Sequence, residues 1–571
     1  MNINGKAEQN NTYDAIVVGS GISGGFAAKE LCDNGVKTLL LERGRLVKHR
    51  DDYPTATLDP WEEENAGRIP QDEQEKNPII SRCYAFNKNT EHFFLKDEEQ
   101  PYIQEKPFDW IRAYVEGGKS LLWARGGQRF SKYDFEGPAR DGYGIEWPIT
   151  YDELDPWYTH VEHFVGWSGS KDGIEHLPDG DFLPPFEMNC VEKDMKKRIE
   201  SAYSDRYLVH GRCAHLTEVR DIHREQGRGL CLARNKCYRG CPYGAYFSSN
   251  SSTIPWAEKT GNLTKKTHSV VHSVIYDEEQ GKATGVRVVD AVTKEMTEYY
   301  ARIIFLNAAT LNSTAILLNS TSNRFPNGLG NDSGTLGRYL AFHNYRGRLG
   351  GRMEGYEDGY YFGRRPTGPI MPPFRNVFQQ DDVDFQGKYL VSTGASRQGW
   401  GHALNDATIG SELKKKVAQP GPWNVYMSIQ GETIPKYDNH IRLSEDKTDP
   451  WGIPQVITSV DYDDNDDKMI ADFLEQGEEM LDTMGITNIW TSDSQQAPGL
   501  DIHEMGGARM GKDPSNSVLN RWNQVHSCKN VFVTDGACMT SVAEQNPSLT
   551  FMALTARAAN YAADEMRKGN L

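Results

Sequence analysis

Residues 14–42 read DAIVVGSGISGGFAAKELCDNGVKTLLLE. The first six form a short apolar run ending in glycine, the pattern of a buried parallel strand. Gly19-x-Gly21-x-x-Gly24 follows at once, residues 26–32 have helical composition, and a second apolar run, residues 37–41, ends in Glu42. This is the βαβ fingerprint of dinucleotide binding in its full context. Gly19 makes the tight turn, Gly21 lets the backbone approach a pyrophosphate, and Gly24 permits close helix packing. The helix N-terminus turns its partial positive charge toward the phosphates. Glu42 stands where a ribose hydroxyl is held. A glycine turn of purely structural use would not need strand, helix and acid in register.

One βαβ unit accounts for little of a 571-residue chain, which is long enough for two or more domains. Hydrophobic residues make up 38% and aromatics 11%, which supplies packed cores and argues against global disorder. The net charge of −17 disfavours nucleic acid and anionic membrane surfaces as partners. No apolar run is long enough to span a membrane. The N-terminal MNINGKAEQNNTYD is polar and lacks the apolar core of a secretory signal.

Further along, residues 45–77 are charged and carry proline, an irregular excursion. EGGKSLLWARGGQR, residues 116–129, sets two Gly-Gly pairs around an apolar centre, which suits backbone lying against a ligand or a pair of ordinary turns. Residues 151–165 read as a helix. The nine cysteines do not resemble a disulfide framework. Three of them, Cys231, Cys237 and Cys241, form C-x5-C-x3-C. Such thiolates suit an iron–sulfur cluster or another soft metal; zinc would want a fourth ligand, for which Cys213 or His223 is available; inert thiols are the third reading. Residues 262–290 and 302–309 read as strands returning to the dinucleotide domain. From about residue 337 to 498 the strands alternate, as an antiparallel sheet would, and residues 464–484 form an acidic amphipathic helix.

The C-terminal stretch, residues 501–571, contains DIHEMGGARMG, then NVFVTDGACM, then EQNPSLTFMALTARAANYAADEMRKG. It places a histidine beside a tight glycine turn, a strand ending in Asp-Gly, and an Asn-Pro junction opening a long helix. Asn546 before Pro547 reads as an N-cap with proline at the first helical position. His503 on its own suits a structural histidine as well as a base.

With VVGSGISGG, EGGKS, the 262–286 segment and HEMGGARMG…VFVTDGACM…NPSLTFMALTARAA in this order, the chain resembles the glucose–methanol–choline (GMC) family of FAD-dependent oxidoreductases along nearly its whole length. The C-x5-C-x3-C element resembles the branch of sugar dehydrogenases that carry a [3Fe-4S] cluster, and the overall pattern looks closest to the catalytic (large) subunits of glucoside 3-dehydrogenases. The resemblance implies an α/β plus α+β fold. A Rossmann-like FAD-binding domain (residues 1–130, 210–336 and 499–571) interleaves with an antiparallel-sheet substrate domain (residues 131–209 and 337–498). It implies that His503 is the catalytic base, with Asn546 at the second catalytic position where histidine is frequent. Asp535, Gly536 and Pro547 fall beside FAD, Glu42 at its ribose, Val271 at its adenine, and Gly117, Gly118 and Ser120 at its isoalloxazine. LLW stands where some relatives carry a histidine that binds FAD covalently, so the implied FAD is non-covalent. Cys231, Cys237 and Cys241 are the implied cluster ligands.

The expected chemistry is oxidation of a sugar or glycoside hydroxyl, first at C3, with an FAD glucose or polyol dehydrogenase of other regiospecificity as the alternative. A neutral imidazole takes the hydroxyl proton, and electrons leave through the cluster to a cytochrome-type acceptor. A sugar oxidase using oxygen would have no use for the cluster, and a redox-silent lyase on the same fold would not bleach its flavin. Trp400, Gln430 and Glu432 are candidate sugar contacts, through stacking and hydroxyl hydrogen bonds, against the bland reading of ordinary domain packing. His343 and His402 could border the substrate. A small subunit is the expected partner. With no signal in the N-terminal stretch, the expectation is a periplasmic chain by co-export with that partner, or a cytoplasmic one.

Overall fold

The computed structural model describes residues 11–359, 365–397 and 408–571. Strand β1 (Thr12–Val18) is paired in parallel on both edges, which is why residues 15–18 are wholly apolar and buried. On one side lie β2 (Thr38–Leu41) and then β3 (Leu263–Lys266), both parallel. Strands β4 (Ser269–Asp277) and β5 (Lys282–Asp290) form an antiparallel hairpin that leads into β6 (Met296–Leu306). β6 returns to the other side of β1.

A second sheet is antiparallel throughout. It comprises β7 (His343–Asn344), β8 (Gly347–Met353), β9 (Ile370–Met371), β10 (Tyr389–Arg397), β11 (Trp423–Glu432) and β12 (Thr487–Asp493). The acidic helix Asp464–Thr483 covers it. Its buried Met469, Ile470, Phe473, Gly477, Met480 and Leu481 recur at helical spacing; of its acids only Asp466 is buried with them. The Asp463 carboxylate caps its first turn by accepting from the backbone N–H of Asn465 at 3.1 Å.

The chain then goes back to the first sheet. β13 (Gln524–Val525) and β14 (Cys528–Val533) join it beside β6, so the sheet is assembled from N-terminal, middle and C-terminal parts of the sequence. The final helix, Ser548–Lys568, packs on the first, Ile22–Asp33, through small residues (Ala27, Ala28, Ala558, Ala559, Ala562) that let the backbones approach. The expected mixed architecture, a Rossmann-like parallel sheet with a separate antiparallel sheet, is the one adopted. Residues 131–209, however, divide between two cores. Helix Tyr151–Val165 and Trp167 share the core of the first sheet with Phe26 and Phe247. Met188, Val191, Met195, Ile199 and Leu208 pack under the second, and Leu177 and Val209 join Ile370 and Leu390 of its strands in a smaller cluster. Among the described residues no helix is long and apolar enough to cross a membrane.

Candidate active site

The glycine turn is built as its spacing requires. Gly19 has φ +93°, and a Cβ there would stand 2.3 Å from the Asn307 carbonyl oxygen; a Cβ on Gly24 would stand 1.8 Å from the Gly19 oxygen. Gly21 has nothing within 4 Å of where a Cβ would point. That open face belongs to a long cavity which runs past Glu42 and Val271, along Gly19–Ser23, past Gly118 and Ser120, and on to Asp535, Gly536, His503, Asn546 and Pro547. One elongated space thus collects elements separated by hundreds of residues. It suits an extended dinucleotide with a flat ring at one end.

Glu42 is buried. Its carboxylate accepts from the backbone N–H of Ser20 (3.2 Å), the Ser20 hydroxyl (2.5 Å) and the Gly44 N–H (2.8 Å). Burial still pushes its pKa up. Asp535 accepts from the Ser313 hydroxyl (2.5 Å) and the Ala537 N–H (3.0 Å), which caps the short turn Gly536–Cys538, and burial raises it to about 6. Gly536 has room for no side chain: a Cβ would meet the Thr310 hydroxyl at 2.3 Å and the Glu504 carbonyl at 2.5 Å. Gly117 does not line the cavity. Its φ is +86°, and a Cβ would fall 1.7 Å from the Asn250 Oδ1, so its place is to let Asn250 bond the Val47 and Glu116 carbonyls. Ser120 reaches the cavity while its hydroxyl donates to the Gly117 carbonyl.

His503 stands in the cavity wall because Met505–Gly507 pairs antiparallel with Arg338–Ala341. That register sets His503 against His343 on β7, with 2.8 Å between their Nδ1 atoms. Burial, then His343 and the charge of Lys119, push the His503 pKa well down, so its imidazole is neutral. Asn546 faces the same space, and among the described residues its carboxamide makes no hydrogen bond. The capping role expected for it is not found. Pro547, with φ −81° and ψ −12°, is already the N-cap, and its carbonyl accepts from Phe551 N–H at 3.0 Å. Asn546 therefore lies one residue too early to reach the first free amides.

Gln430 and Glu432, read as candidate sugar contacts, do not line the cavity and are 4% and 1% exposed. Gln430 donates to the Glu544 carbonyl at 2.7 Å, and Glu432 accepts from the Tyr143 hydroxyl at 3.3 Å. With Lys388, Asp134 and Glu544 they form a buried charged buttress under the loop that carries Asn546. Alternation along β11 turned them toward this interior cluster, and burial raises Glu432 to about 7. Trp400 and His402 lie outside the described residues.

Cys231, Cys237 and Cys241 line a second, smaller cavity with His215 and Tyr246. Cys213 and His223, the available fourth ligands, do not line it. Cys213 sits 3.4 Å from the Ser168 hydroxyl with its thiol pushed to about 12 by burial, and both His223 nitrogens are engaged, with the Arg220 N–H and the His163 carbonyl. The three thiols are not all within 4.8 Å of one another. Thiolates on one zinc ion at about 2.3 Å would be about 3.8 Å apart, so a single-ion zinc site is not preformed, whereas a multi-iron cluster holds its ligands wider.

Two nearly buried arginines flank this cavity, and among the described residues neither has a carboxylate partner. Arg125 stands between the two cavities, its guanidinium 4.7 Å from the Tyr238 ring and its Nε donating to His215 Nε2 at 3.2 Å. Arg228 donates to the Gly244 and Val165 carbonyls, and burial pushes it down to about 9 against the pull of Cys241. Arg125 Nη1, Arg228 Nη2 and His215 Nδ1 are buried without a partner. Unpaired buried cations are costly, and an anionic sulfur-rich group is what such donors fit. The residue pattern pointed to the three cysteines. It could not point to Arg125 and Arg228, whose arginine character signals nothing until burial removes their solvent.

Two profiles described as GMC oxidoreductase match residues 159–345 and 435–555, together more than half of the chain. The fructose dehydrogenase large subunit of Gluconobacter japonicus is 24% identical over 97% of this chain and 98% of its own length. The 2-methyl-1,2-propanediol dehydrogenase of Mycolicibacterium austroafricanum is 26% identical over 96% of this chain and 94% of its own. Among solved structures, a formate oxidase from Aspergillus oryzae superposes with a TM-score of 0.61 at 14% identity, covering 98% of this chain and 100% of that one, a likeness of fold. Glycine turn, paired histidines, C-terminal Asp-Gly strand and profile matches agree, and the chain belongs to the GMC oxidoreductase family, as an FAD-dependent oxidoreductase of CH–OH donors.

Proposed function

We propose that this chain is a dehydrogenase that oxidises a secondary hydroxyl of a sugar or glycoside, at C3. The observation that carries the reading is that a neutral histidine and an unbonded asparagine carboxamide face one cavity lined by nucleotide-binding elements. The names of the fructose dehydrogenase large subunit and of a gluconate 2-dehydrogenase flavoprotein from Pantoea cypripedii, 23% identical, support a carbohydrate substrate. The C3 position rests on the likeness to glucoside 3-dehydrogenases.

When bound, FAD accepts the hydride. His503 takes the hydroxyl proton; Asn546 holds the oxygen by donating or accepting a hydrogen bond. The helix opening at Pro547 offers its N-terminal amides to negative charge in the cavity. Glu42 and the Val271 backbone would hold the adenosine end of FAD, and Asp535 and Gly536 its middle. Leu121, Leu122 and Trp123 offer no nucleophile, and burial raises the Cys83 thiol to about 11, which supports a non-covalent cofactor. A [3Fe-4S] cluster on Cys231, Cys237 and Cys241, when present, carries electrons onward to a small subunit or cytochrome-type acceptor. The unpaired donors of Arg125, Arg228 and His215 support that reading.

Anaerobic mixing with a panel of glycosides, followed by optical and EPR spectra, tests the proposal. Flavin bleaching together with a cluster signal is expected. Bleaching in a protein free of iron would sink the relay. A second reading, oxidation of a small aliphatic diol, is favoured by the propanediol dehydrogenase relative, and such diols belong in the panel.

A further inference from the structure

His343 lies behind His503, is itself absent from the cavity wall, and is 0% exposed. Three contacts pin it. Its backbone N–H donates to Asp501 Oδ2 at 2.8 Å, its Nε2 is 3.0 Å from the Ala543 carbonyl oxygen, and its Nδ1 is 2.8 Å from Nδ1 of His503. A carbonyl oxygen only accepts, so Nε2 of His343 carries the hydrogen. In a neutral ring Nδ1 is then a bare lone pair. The hydrogen between the two rings belongs to His503 Nδ1, and in a neutral His503 the lone pair is left on Nε2. We propose that His343 is a positioning residue: through Ala543 it fixes His503 in the one tautomer whose Nε2 is free to take a proton.

Both rings are neutral, as the argument needs, since burial lowers His343 to about 4 and pushes His503 well below the usual histidine value. A metal ion between the rings is a poorer account of the geometry. Two nitrogens at about 2.05 Å from a tetrahedral zinc stand about 3.3 Å apart, wider than the 2.8 Å found. Stacking does not explain the pair either, because the rings stand at 89°. The backbone on both sides is held in an unfavourable region: Ala543, whose carbonyl sets the chain of bonds, has φ +50°, and the β-branched Ile502 just before the base has φ +65°. Such conformations persist where the surroundings over-determine them, and they gather at sites where geometry matters to function.

The proposal rests on His503 being the base, so the test separates the two. His503→Ala tests the base alone. For the tautomer, ¹⁵N-histidine spectra of the wild-type holoenzyme need no turnover, and His503 should show a protonated, pyrrole-like Nδ1 and a pyridine-like Nε2. In His343→Leu, FAD should stay bound while the rate of anaerobic flavin reduction by substrate falls on the order of 10²-fold. Glutamine can donate to the Ala543 carbonyl and accept from His503, so His343→Gln should recover the rate to within about tenfold of wild type. A pyridine-like Nδ1 on His503 overturns the proposal. So does a FAD-loaded His343→Leu that reduces its flavin within about threefold of wild type.

Discussion

The two cavities satisfy buried polarity in opposite ways. Around the base, the chain completes its own network: Ala543, His343 and His503 form a closed line of bonds, and the buried atoms left without partners are acceptors, Asp501 Oδ1 and Glu504 Oε1. Around the cysteines, the unpartnered atoms are donors on Arg125, Arg228 and His215. The first arrangement is organised before any ligand arrives and invites hydroxyl groups. The second carries arginine charge with no carboxylate partner among the described residues, a setting that suits an anion. A buried cation without a counter-charge is costly, so under the proposed function the cysteine cavity is the part whose stability should depend on its occupant.

Substitution can break that contrast. The largest expected effect is His503→Ala, which should keep FAD and slow flavin reduction by about 10³–10⁴-fold; a normal rate would remove the base from the account. Next, Cys237→Ser should abolish iron content and the cluster EPR signal while substrate still bleaches the flavin at close to the wild-type rate. Loss of both functions together would mean that the cavities are not separable. Asn546→Ala should cost about 10–100-fold in reduction rate and little in thermal midpoint, because the residue orients substrate and does not cap the helix.

Arg125→Met addresses the charge argument directly. In iron-free protein it should raise the thermal midpoint, since an unpaired buried cation is gone; in iron-loaded protein it should lower it. The same sign in both states would refute the idea that the arginine answers to an anionic occupant. The last effect concerns pH. His343 has its pKa lowered to about 4 in the folded chain against 6.5 for a free histidine, so the unfolded state takes up a proton that the folded state refuses. Stability from this group is therefore lost as pH falls from 6.5 to 4. The wild type's advantage over His343→Leu should shrink by about 3 kcal/mol across that window, as urea unfolding at several pH values would show.

The parts of the fold that could be read in advance were those with local periodicity. Strand, glycine turn and helix at residues 14–33 announce themselves, as do the alternating strands of the second sheet and the helix at 464–483, because one buried face imposes its period on neighbouring residues. His343 was passed over as a partner of His503, since the two meet only through the pairing of residues 338–341 with 505–507, and no local pattern encodes a pairing between distant strands. Gln430 and Glu432 misled for a related reason: polar residues on a strand suggest a wet face, but here the Glu544 carbonyl meets Gln430 and the Tyr143 hydroxyl meets Glu432 in the interior. Asn546 misled by a single residue, because Pro547 supplies helical φ by itself and took the capping position.

The cofactor sheet borrows its last strand, Cys528–Val533, from near the C-terminus. At about 5–20 residues per second, a 571-residue chain takes on the order of 30–110 s to emerge from a ribosome. From the synthesis of Leu306 to that of Cys528, roughly two fifths of that time, β6 presents a bare edge ready to pair with any neighbouring strand, and His503, Asp535 and Asn546 are made only near its end or after it. Acquisition of FAD is in this way tied to the completion of synthesis. A truncated nascent chain holds the glycine turn without the residues that give a bound flavin something to do.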